Sequence, residues 1–478
     1  MFLNKIFTFV MKKTFKQLFF AIFLMIKIVC FPLLAEPFVL TIDRAIELAI
    51  KSHPIIGTND LESALINEDL NNRAFDWKFL PRGESAYTGG GEHSATGLTI
   101  GAGFDLAKRF QQGGNIVIGP TIIKTNDKYQ TNFRFKIAQP LLKGFGKDYN
   151  LAGIHAAEFV TRSTYRKAQK MLSETIFKTI ESVYELAKQN ETICFLQDSL
   201  SSFEDFYKRA KIKEKIGFID SIEIFKSELE YRQALEALEI ANEKYQIVKE
   251  NLCELLNLPY ATEFELDISF EKTQMPLEQE ISIKTALKNR VELQQAFDQI
   301  QENHRLLKIA KKNLLPAINF VVDYTNLCFD ETFTGAFGSK REARWGFGFT
   351  TDGSFDRAAE KAGYQQATLS VENAENAFQE IKMGIIKEIK RQIQAITHLR
   401  KRIKFFEDQN KILENDVKLA KLKFYRGLIG HLELIQSEKG LKNSQLQLLN
   451  ALAEHKVNEY RLLGIMGLLN ETIFCENF

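Results

Sequence analysis

Histidine, cysteine and glycine are the residues in this chain that could support metal, thiol or phosphate chemistry. The seven histidines are dispersed and form neither an HExxH nor an HxH pattern. The five cysteines lie far apart without a CxxC pair, which indicates neither a zinc site nor a disulfide framework. The glycine runs at 89–91 and 101–103 lack the strand–loop–helix context of a dinucleotide-binding loop. We therefore expect no catalytic residue, no cofactor and no metal ion.

Two glutamates recur at one spacing in an internal repeat. The segment 217–228, GFIDSIEIFKSE, aligns with 427–438, GLIGHLELIQSE, at an offset of 210 residues. Glu223 and Glu433 each follow the glycines Gly217 and Gly427 by six positions. One interpretation is an ordinary solvated glutamate near a helix start, where negative charge is favoured. The other is a ring of like charge, formed if several chains bring these acids around one axis, which would select cations.

The composition is that of a globular protein. Of 478 residues, 45% are hydrophobic and 26% are charged, which excludes a wholly disordered chain. The 63 basic and 61 acidic residues leave a net charge of +2, so the basic excess of a dedicated nucleic-acid binder is absent. We expect no nucleic-acid partner.

The N-terminal segment 1–35 has the pattern of an export signal, with lysines before an apolar run and Ala35 before Glu36. A single transmembrane anchor, a lipid anchor on Cys30 and a start at Met11 are the alternatives. After residue 35 no run of about 18 apolar residues remains. If the exported chain enters a membrane, it must therefore do so as a β-barrel, because only helices and closed barrels satisfy their backbone in lipid.

The chain uses one structural plan twice. We place repeat 1 at 36–260, a linker at 261–280, repeat 2 at 281–470 and a C-terminal tail at 471–478. Each repeat opens with a short helix that we expect to end at Leu-Pro, at 80–81 and at 315–316. Each then has strands, at 84–138 and at 317–350, and two long helices. The predicted long helices are 145–212, 218–257, 357–424 and 428–467, and about 60 residues at 1.5 Å each give rods of roughly 90 Å.

The strand regions alternate apolar and polar residues, as at 97–107, 115–124 and 130–138 in the first half. A half-buried soluble sheet is one interpretation of this pattern. The alternative is a barrel, but four to six strands are too few to close one of at least eight. Strands from several chains would have to join, so the barrel interpretation predicts an oligomer.

Three motifs in chain order carry a resemblance to a family. These are the opening 40–54 with Leu40-Thr41-Ile42, the element Gln139-Pro140-Leu141-Leu142-x-Gly144-Phe145-Gly146, and the doubled Gly-x5-acid pattern. Together they resemble the TolC-like outer membrane factors, exit ducts of tripartite efflux pumps and type I secretion systems. The resemblance covers nearly the whole chain after residue 35.

The resemblance implies an α+β fold and a homotrimer. Two strands per repeat would form a twelve-stranded barrel in outer membrane lipid. The helices would continue it as a periplasmic α-helical barrel, closed by the helix-turn-helix tips. Such a duct is no enzyme, and its partners are a periplasmic adaptor and an inner-membrane pump.

The chain departs from the family pattern in the first half, at the second tip and at Thr350-Thr351-Asp352-Gly353, which lacks the Pro-Leu seen at 140–141. The first half has three alternating stretches where two strands are expected, so either the strands are long or an extra hairpin projects outward. At the second tip, Phe424, Ile429 and Gln436 stand where the family has Tyr, Arg and a second Asp. In the family, salt bridges between chains are expected to hold the closed tips together, and here the Arg and the second Asp for such salt bridges are missing. An apolar constriction at Phe424 is the alternative. The candidate aperture residues are Glu223, Phe424, Ile429, Glu433 and Gln436, with Gly217 and Gly427 as tip turns.

The sequence thus predicts a passive outer-membrane exit duct that extends into the periplasm of a double-membraned bacterium. A periplasmic coiled-coil adaptor or scaffold that never enters lipid is the rival prediction. Such an adaptor would need neither the strand inserts nor the duplication of the whole chain. A monomeric porin is a third possibility, opposed by the scarcity of strands.

Overall fold

The computed structural model describes residues 38–52, 58–88, 97–126, 128–216, 221–268, 270, 278–338, 341–352 and 356–469. The predicted signal segment 1–35, with Met11 and Cys30, lies outside these residues, and so do Gly217 and the predicted tail 471–478. Within the described part, no helix is both long and apolar enough to cross a membrane.

The first half contains helices at both ends of a strand region. Its elements are β1 (Phe38–Leu40), α1 (Ile42–Ser52), α2 (Thr58–Asn72), β2 (Lys78–Thr88), β3 (Gly97–Arg109), β4 (Asn115–Thr125), β5 (Lys128–Pro140), α3 (Lys147–Asn150), α4 (Ala152–Lys215) and α5 (Ser221–Leu256).

The second half repeats the order with fewer strands. Its elements are β6 (Phe264–Leu266), α6 (Gln279–Asn289), α7 (Val291–Asn313), β7 (Ala317–Asp330), β8 (Arg341–Asp352), α8 (Ala358–Tyr425) and α9 (His431–Ile465). The chain is therefore mostly helical, with one antiparallel sheet, and the short β1 pairs with β6 in parallel.

The helices α4 and α8 are the longest elements, with 64 and 68 residues. Neither contains proline, so no residue removes a hydrogen bond within them. At 1.5 Å per residue they extend over about 100 Å. Each folds back on a shorter partner, α5 or α9, so the helical part of each half is a long antiparallel hairpin.

The two hairpins also end alike. Asn257 and Gly467, 210 residues apart, both adopt positive φ, of 53° and 74°. At each site the next residue donates its N–H back into the helix, from Leu258 to Cys253 and from Leu468 to Leu463. This is the Schellman motif, which satisfies the last carbonyls of a helix. The sequence duplication is thus reproduced in backbone geometry.

The apolar core lies among the helices. One cluster joins β1 and α1 to α4 and α5 through Leu40, Val183 and Leu252, which are fully buried. A second joins α6, α8 and α9 through Ile389 and Leu462. No comparable cluster forms on the sheet within the described residues.

The main sheet has six antiparallel strands in the order β2-β3-β4-β5-β7-β8. The expectation of two strands per repeat is therefore wrong for the first half, which supplies four. The extra hairpin does not project outward either, because β3 and β4 pair with each other and with β2 and β5 on either side. The twelve-strand count implied by the family resemblance consequently does not follow for this chain.

The first Leu-Pro pair was also misplaced by the sequence pattern. Leu80 and Pro81 lie within β2, and the preceding helix ends at Asn72. Proline is tolerated there because β2 is an edge strand, whose outer N–H groups need no partner in the same chain. The second pair, at 315–316, follows the end of α7 at Asn313, as expected.

Candidate functional site

The turn between α8 and α9 forms the second tip, and Gly427 makes it possible. Gly427 has a φ of 72°, a conformation that residues with a Cβ rarely adopt. Its N–H donates to Phe424 O at 3.0 Å, and the N–H of Leu428 donates to Lys423 O at 2.9 Å. The helix α8 is thus stopped by a Schellman motif, and the chain turns directly into α9.

Glu223 lies in the first turn of α5 and points towards the other tip. A methyl group on Gly430, which immediately precedes α9, would lie 3.7 Å from the Glu223 carboxylate. The backbone carbonyl of Glu223 also accepts a hydrogen bond from the buried hydroxyl of Ser227 at 2.9 Å. The structure therefore places the carboxylate of the first repeat beside the tip of the second.

Glu433 and Gln436 lie on α9 and are both exposed. Glu433 is in the first turn of the helix, where the helix dipole favours a negative charge. Neither residue is part of the apolar cluster at the tips. The structure brings Glu433 to the same end of the molecule as Glu223.

Phe424 and Ile429 have a different environment, since both pack against an apolar cluster at the tips. The buried members of this tip cluster come from α4, α5, α8 and α9 and are Phe203, Phe206, Ala234, Ala420, Leu434 and Ile435. Phe424 and Ile429 are only partly buried at its margin. They therefore hold the two tips of one chain together, and one edge of each remains accessible.

Lys213 is a tip residue that the sequence pattern did not reveal. Its ammonium group lies 4.5 Å from the centre of the Phe424 ring, within the range of a cation–π contact. Lys213 belongs to α4 and Phe424 to α8, so this contact also joins the two repeats. Sequence spacing gave no signal for it, because the two residues lie in different halves of the chain.

The sheet has one apolar and one mostly polar face, because alternate residues point to opposite sides and the strands pair in register. The apolar face carries Phe79, Leu98, Ile100, Phe104, Leu106, Ile116, Ile118, Ile122, Phe133, Phe135, Ile137, Ile318, Phe320, Val322, Tyr324, Trp345, Phe347 and Phe349. The opposite face includes Arg82, Thr99, Asp105, Thr121, Asn132, Arg134, Lys136, Asp323, Thr325 and Arg344.

The apolar face is open rather than packed. Trp345 is 76% exposed, Phe347 is 68% exposed and Phe349 is 69% exposed, although all three lie in the middle of strand β8. Monomeric soluble proteins rarely expose contiguous apolar surface on this scale. This face is suited to contact lipid or another apolar surface.

The polar face contains an ion-pair network centred on Asp105. This carboxylate is only 2% exposed and lies 2.5 Å from a guanidinium nitrogen of Arg82 and 3.2 Å from one of Arg134. Arg134 reaches it from β5 across β4, where the intervening residue is Gly119. A methyl group at Gly119 would lie 2.3 Å from Asp105 Oδ1, so only glycine leaves room for the contact. The network ties β2, β3 and β5 together across β4.

Residues 282–468 match the family model described as outer membrane efflux protein. The family resemblance is confirmed. The match lies in the second half of the chain, whose α6–α9 include the second tip. Proteins of this family are outer-membrane channels, and no curated protein matches the chain.

Solved structures share this fold over about nine tenths of the chain. The outer membrane protein VceC from Vibrio cholerae has 13% identity and a TM-score of 0.70, covering 89% of this chain and 96% of that one. CusC, described as undergoing transmembrane channel formation, has 12% identity and a TM-score of 0.69, covering 90% and 93%. The CmeC outer membrane channel of Campylobacter jejuni has 13% identity and a TM-score of 0.64, covering 89% and 85%. At these identities the likeness is one of fold alone.

Proposed function

We propose that this outer membrane efflux family chain forms a homotrimeric exit duct that spans the outer membrane and extends into the periplasm. A periplasmic adaptor and an inner-membrane pump, of a tripartite efflux or type I secretion system, supply its substrate and energy. The duct itself is passive and performs no catalysis. The family match and the shared fold support this proposal.

The observation that carries the proposal is the exposed apolar face of the six-stranded sheet. In water, the rings of Trp345, Phe347 and Phe349 would each lose about 1.5–3 kcal/mol of transfer free energy relative to burial. In a bilayer the same rings contact hydrocarbon, and that loss disappears. Because the opposite face carries ionised groups, it must face water, which a lumen provides.

The long helices support the periplasmic part of the proposal. They are charged along much of their exposed surface, and their apolar residues face one another. Rods of about 100 Å are long enough to cross a periplasmic space and meet an adaptor. Both helical hairpins extend from the sheet region in the same direction, because their two tips share one apolar cluster.

The experiment is fractionation of cells that express the full chain, followed by gel electrophoresis with and without heating. We expect an outer-membrane trimer whose mobility changes on heating. A soluble periplasmic monomer would refute the duct and favour the adaptor or scaffold.

A pair of adjacent variants sharpens this experiment. Phe347 and Gly348 are neighbours on β8 but point to opposite faces of the sheet. Phe347→Arg places a charge in lipid, at a cost of about 2–4 kcal/mol, and should reduce the trimer. Gly348→Arg places the same charge on the polar face, where an added Cβ meets no atom within 4 Å, and should leave the amount of trimer unchanged. Equal behaviour of the two variants would contradict a lipid-facing sheet.

We propose further that the tips form the periplasmic aperture and that Glu223 and Glu433 line it. The support is their location at one end of the molecule, with the Glu223 carboxylate facing the second tip. Phe424 and Ile429 then form the apolar rim of the closed state, and Gln436 lies one turn from Glu433. The turn at Gly427 allows the chain to reverse there.

Single-channel recording in planar bilayers tests the aperture. The double variant Glu223→Gln/Glu433→Gln should show weaker cation selectivity and weaker block by divalent or trivalent cations, because a cation site is removed. The control is Glu228→Gln/Glu438→Gln, which removes two charges that pair with Arg232 and Lys421 of the same chain. Unchanged selectivity in the first double variant would place Glu223 and Glu433 on the outer wall.

A further inference from the structure

The six-stranded sheet has consequences for the size of the membrane barrel. Its two edges, β2 and β8, have no strand partner on their outer sides within the described chain. Unpaired edges expose rows of N–H and C=O groups, which cannot remain unsatisfied in lipid. Something must therefore pair with both edges when the apolar face enters a membrane.

A second copy of this chain fits these edges. The strand number is even, so β2 and β8 run in opposite directions, and β8 of one copy meets β2 of the next antiparallel. The two edge strands also match in length, with 11 and 12 residues. Rotation about one axis then repeats the same junction between all copies and closes the ring.

All six strands are long enough to cross a membrane. They contain 11 to 14 residues each, and the extra strands β3 and β4 contain 13 and 11. A tilted transmembrane strand needs about 9–11 residues. The β3–β4 hairpin is thus a full membrane-spanning hairpin by length.

The β3–β4 hairpin is also built into the sheet at both of its ends. At its turn, Gly146 donates its N–H to Gln112 O at 3.1 Å, and Arg109 donates to Asn150 Oδ1 at 3.0 Å. These contacts fix the turn against the start of the long helices. At the opposite end Gly97 of β3 pairs with Thr88 of β2, and Thr125 of β4 pairs with Lys128 of β5.

The ion-pair network adds a constraint in the middle of the strands. Asp105 on β3 contacts Arg82 on β2 and Arg134 on β5, and the second contact passes over Gly119 on β4. Removing β3 and β4 from the wall would separate this buried carboxylate from both guanidinium groups. The hairpin therefore cannot leave the sheet without breaking hydrogen bonds on both sides and this network.

We propose that three copies pair edge to edge, β8 with β2 of the next copy, into an eighteen-stranded barrel. This inference rests on the trimeric duct proposed above. With a strand spacing of about 4.8 Å and a tilt of about 40°, eighteen strands give a diameter of about 36 Å, against about 24 Å for twelve. The membrane part is then about 1.5-fold wider than a twelve-stranded barrel of the same tilt. The β3–β4 turn has no helix of its own beneath it, so the wall narrows where the helices begin.

The experiment is single-particle electron cryomicroscopy of the full chain, purified as its oligomer in detergent, with strands counted in cross-section. We expect eighteen strands from three chains. Twelve strands from three chains, with residues 97–125 outside the wall, would overturn this inference and leave the duct intact. Absence of a closed membrane ring would overturn the duct itself.

A deletion variant provides the matched control. Deleting residues 89–125 connects Thr88 of β2 to Lys128 of β5 through the existing Asn126-Asp127 pair. In the new hairpin, the even-numbered residues of β2 and β5 still lie on the polar face. In this register Arg82 lies directly opposite Arg134. The variant therefore also carries Arg82→Thr, which removes one of the two like charges. It should form a twelve-stranded ring about two thirds as wide as that of the parent chain. Equal diameters for the deletion variant and the parent would show that the hairpin is not part of the wall.

Discussion

Replacing Asp105 by Asn tests the ion-pair network that joins the extra hairpin to the sheet. The change keeps the size of the side chain and removes only its charge. Arg82 and Arg134 then lie within reach of one neutral amide instead of a shared carboxylate. We expect the sheet to become less stable, because two like charges remain close together without compensation.

The magnitude follows from the burial of the three groups. Asp105 is 2% exposed, whereas the side chains of Arg82 and Arg134 are 50% and 36% exposed. Removing one partner of a fully buried ion pair costs about 3–5 kcal/mol, and exposed pairs contribute about 0–1 kcal/mol. Because water screens both guanidinium groups here, we expect an intermediate loss of about 2 kcal/mol. That corresponds to a roughly 30-fold change in the folded-to-unfolded ratio.

The assay is urea-induced unfolding of the protein in lipid vesicles, followed by the heat-modifiable mobility on gels. The midpoint for Asp105→Asn should fall below that of the parent chain. Raising the salt concentration should narrow the difference, because the Debye length shortens from about 10 Å at 0.1 M to about 3 Å at 1 M.

Asp323→Asn is the matched control. Asp323 lies on the same polar face, on β7, but it is exposed and makes no ion pair with any described residue. We expect its replacement to leave the unfolding midpoint unchanged. If the two variants unfold at the same urea concentration, the reasoning about Asp105 is refuted.

Three further variants test packing, helix continuity and pH dependence. Gly119→Ala should lower the urea midpoint of unfolding, since its methyl group would lie 2.2 Å from Phe104 O. The control Gly348→Ala should leave the midpoint unchanged, because its methyl group meets no atom within 4 Å. Equal midpoints for the two variants would contradict this expectation. Ile180→Pro should cost about 3 kcal/mol or more beyond Ile180→Ala, because it removes a hydrogen bond within α4, and export should be lost; wild-type export would argue against a continuous rod. Burial raises the pKa of Glu459, so the folded chain holds this proton to higher pH than the unfolded chain and loses stability as pH rises through that range. As the pH rises above about 4.5, the ordinary value for a glutamate, the melting temperature of Glu459→Gln should therefore increase relative to that of the parent chain. A difference between the two melting temperatures that does not change with pH would refute this assignment.

At the tips, local sequence patterns predicted some of the residues involved and missed others. Gly427 was predicted as a turn residue from its place in the repeat, and its positive φ and two backbone hydrogen bonds give the physical reason. The same repeat contains the acids Glu223 and Glu433 at matching positions, and their role in an aperture stays a prediction. Lys213 was missed, because its contact with Phe424 joins two halves that the sequence keeps about 200 residues apart.

The sheet shows where local patterns fail. Alternation correctly assigned apolar and polar residues to opposite faces, since that period is a property of any strand. It also located three strands between residues 97 and 138, but missed that β2 begins at Lys78 and includes Pro81. Family expectation then favoured two strands per repeat, and the alternation alone could not decide whether the extra stretches formed a separate hairpin.

By itself, the sequence determined the two-faced strands and the long proline-free helices, because each depends on residues close together in the chain. It also determined the duplication and the family resemblance, because both are patterns of residue types that need no spatial contact. Tertiary structure alone decided that β3 and β4 lie inside the sheet, that Asp105 joins strands across Gly119, and that the two tips share one apolar cluster. Strand order and tip packing depend on hydrogen bonds and burial between distant segments. Several arrangements satisfy the same local periodicity, and only the full set of long-range contacts selects one of them.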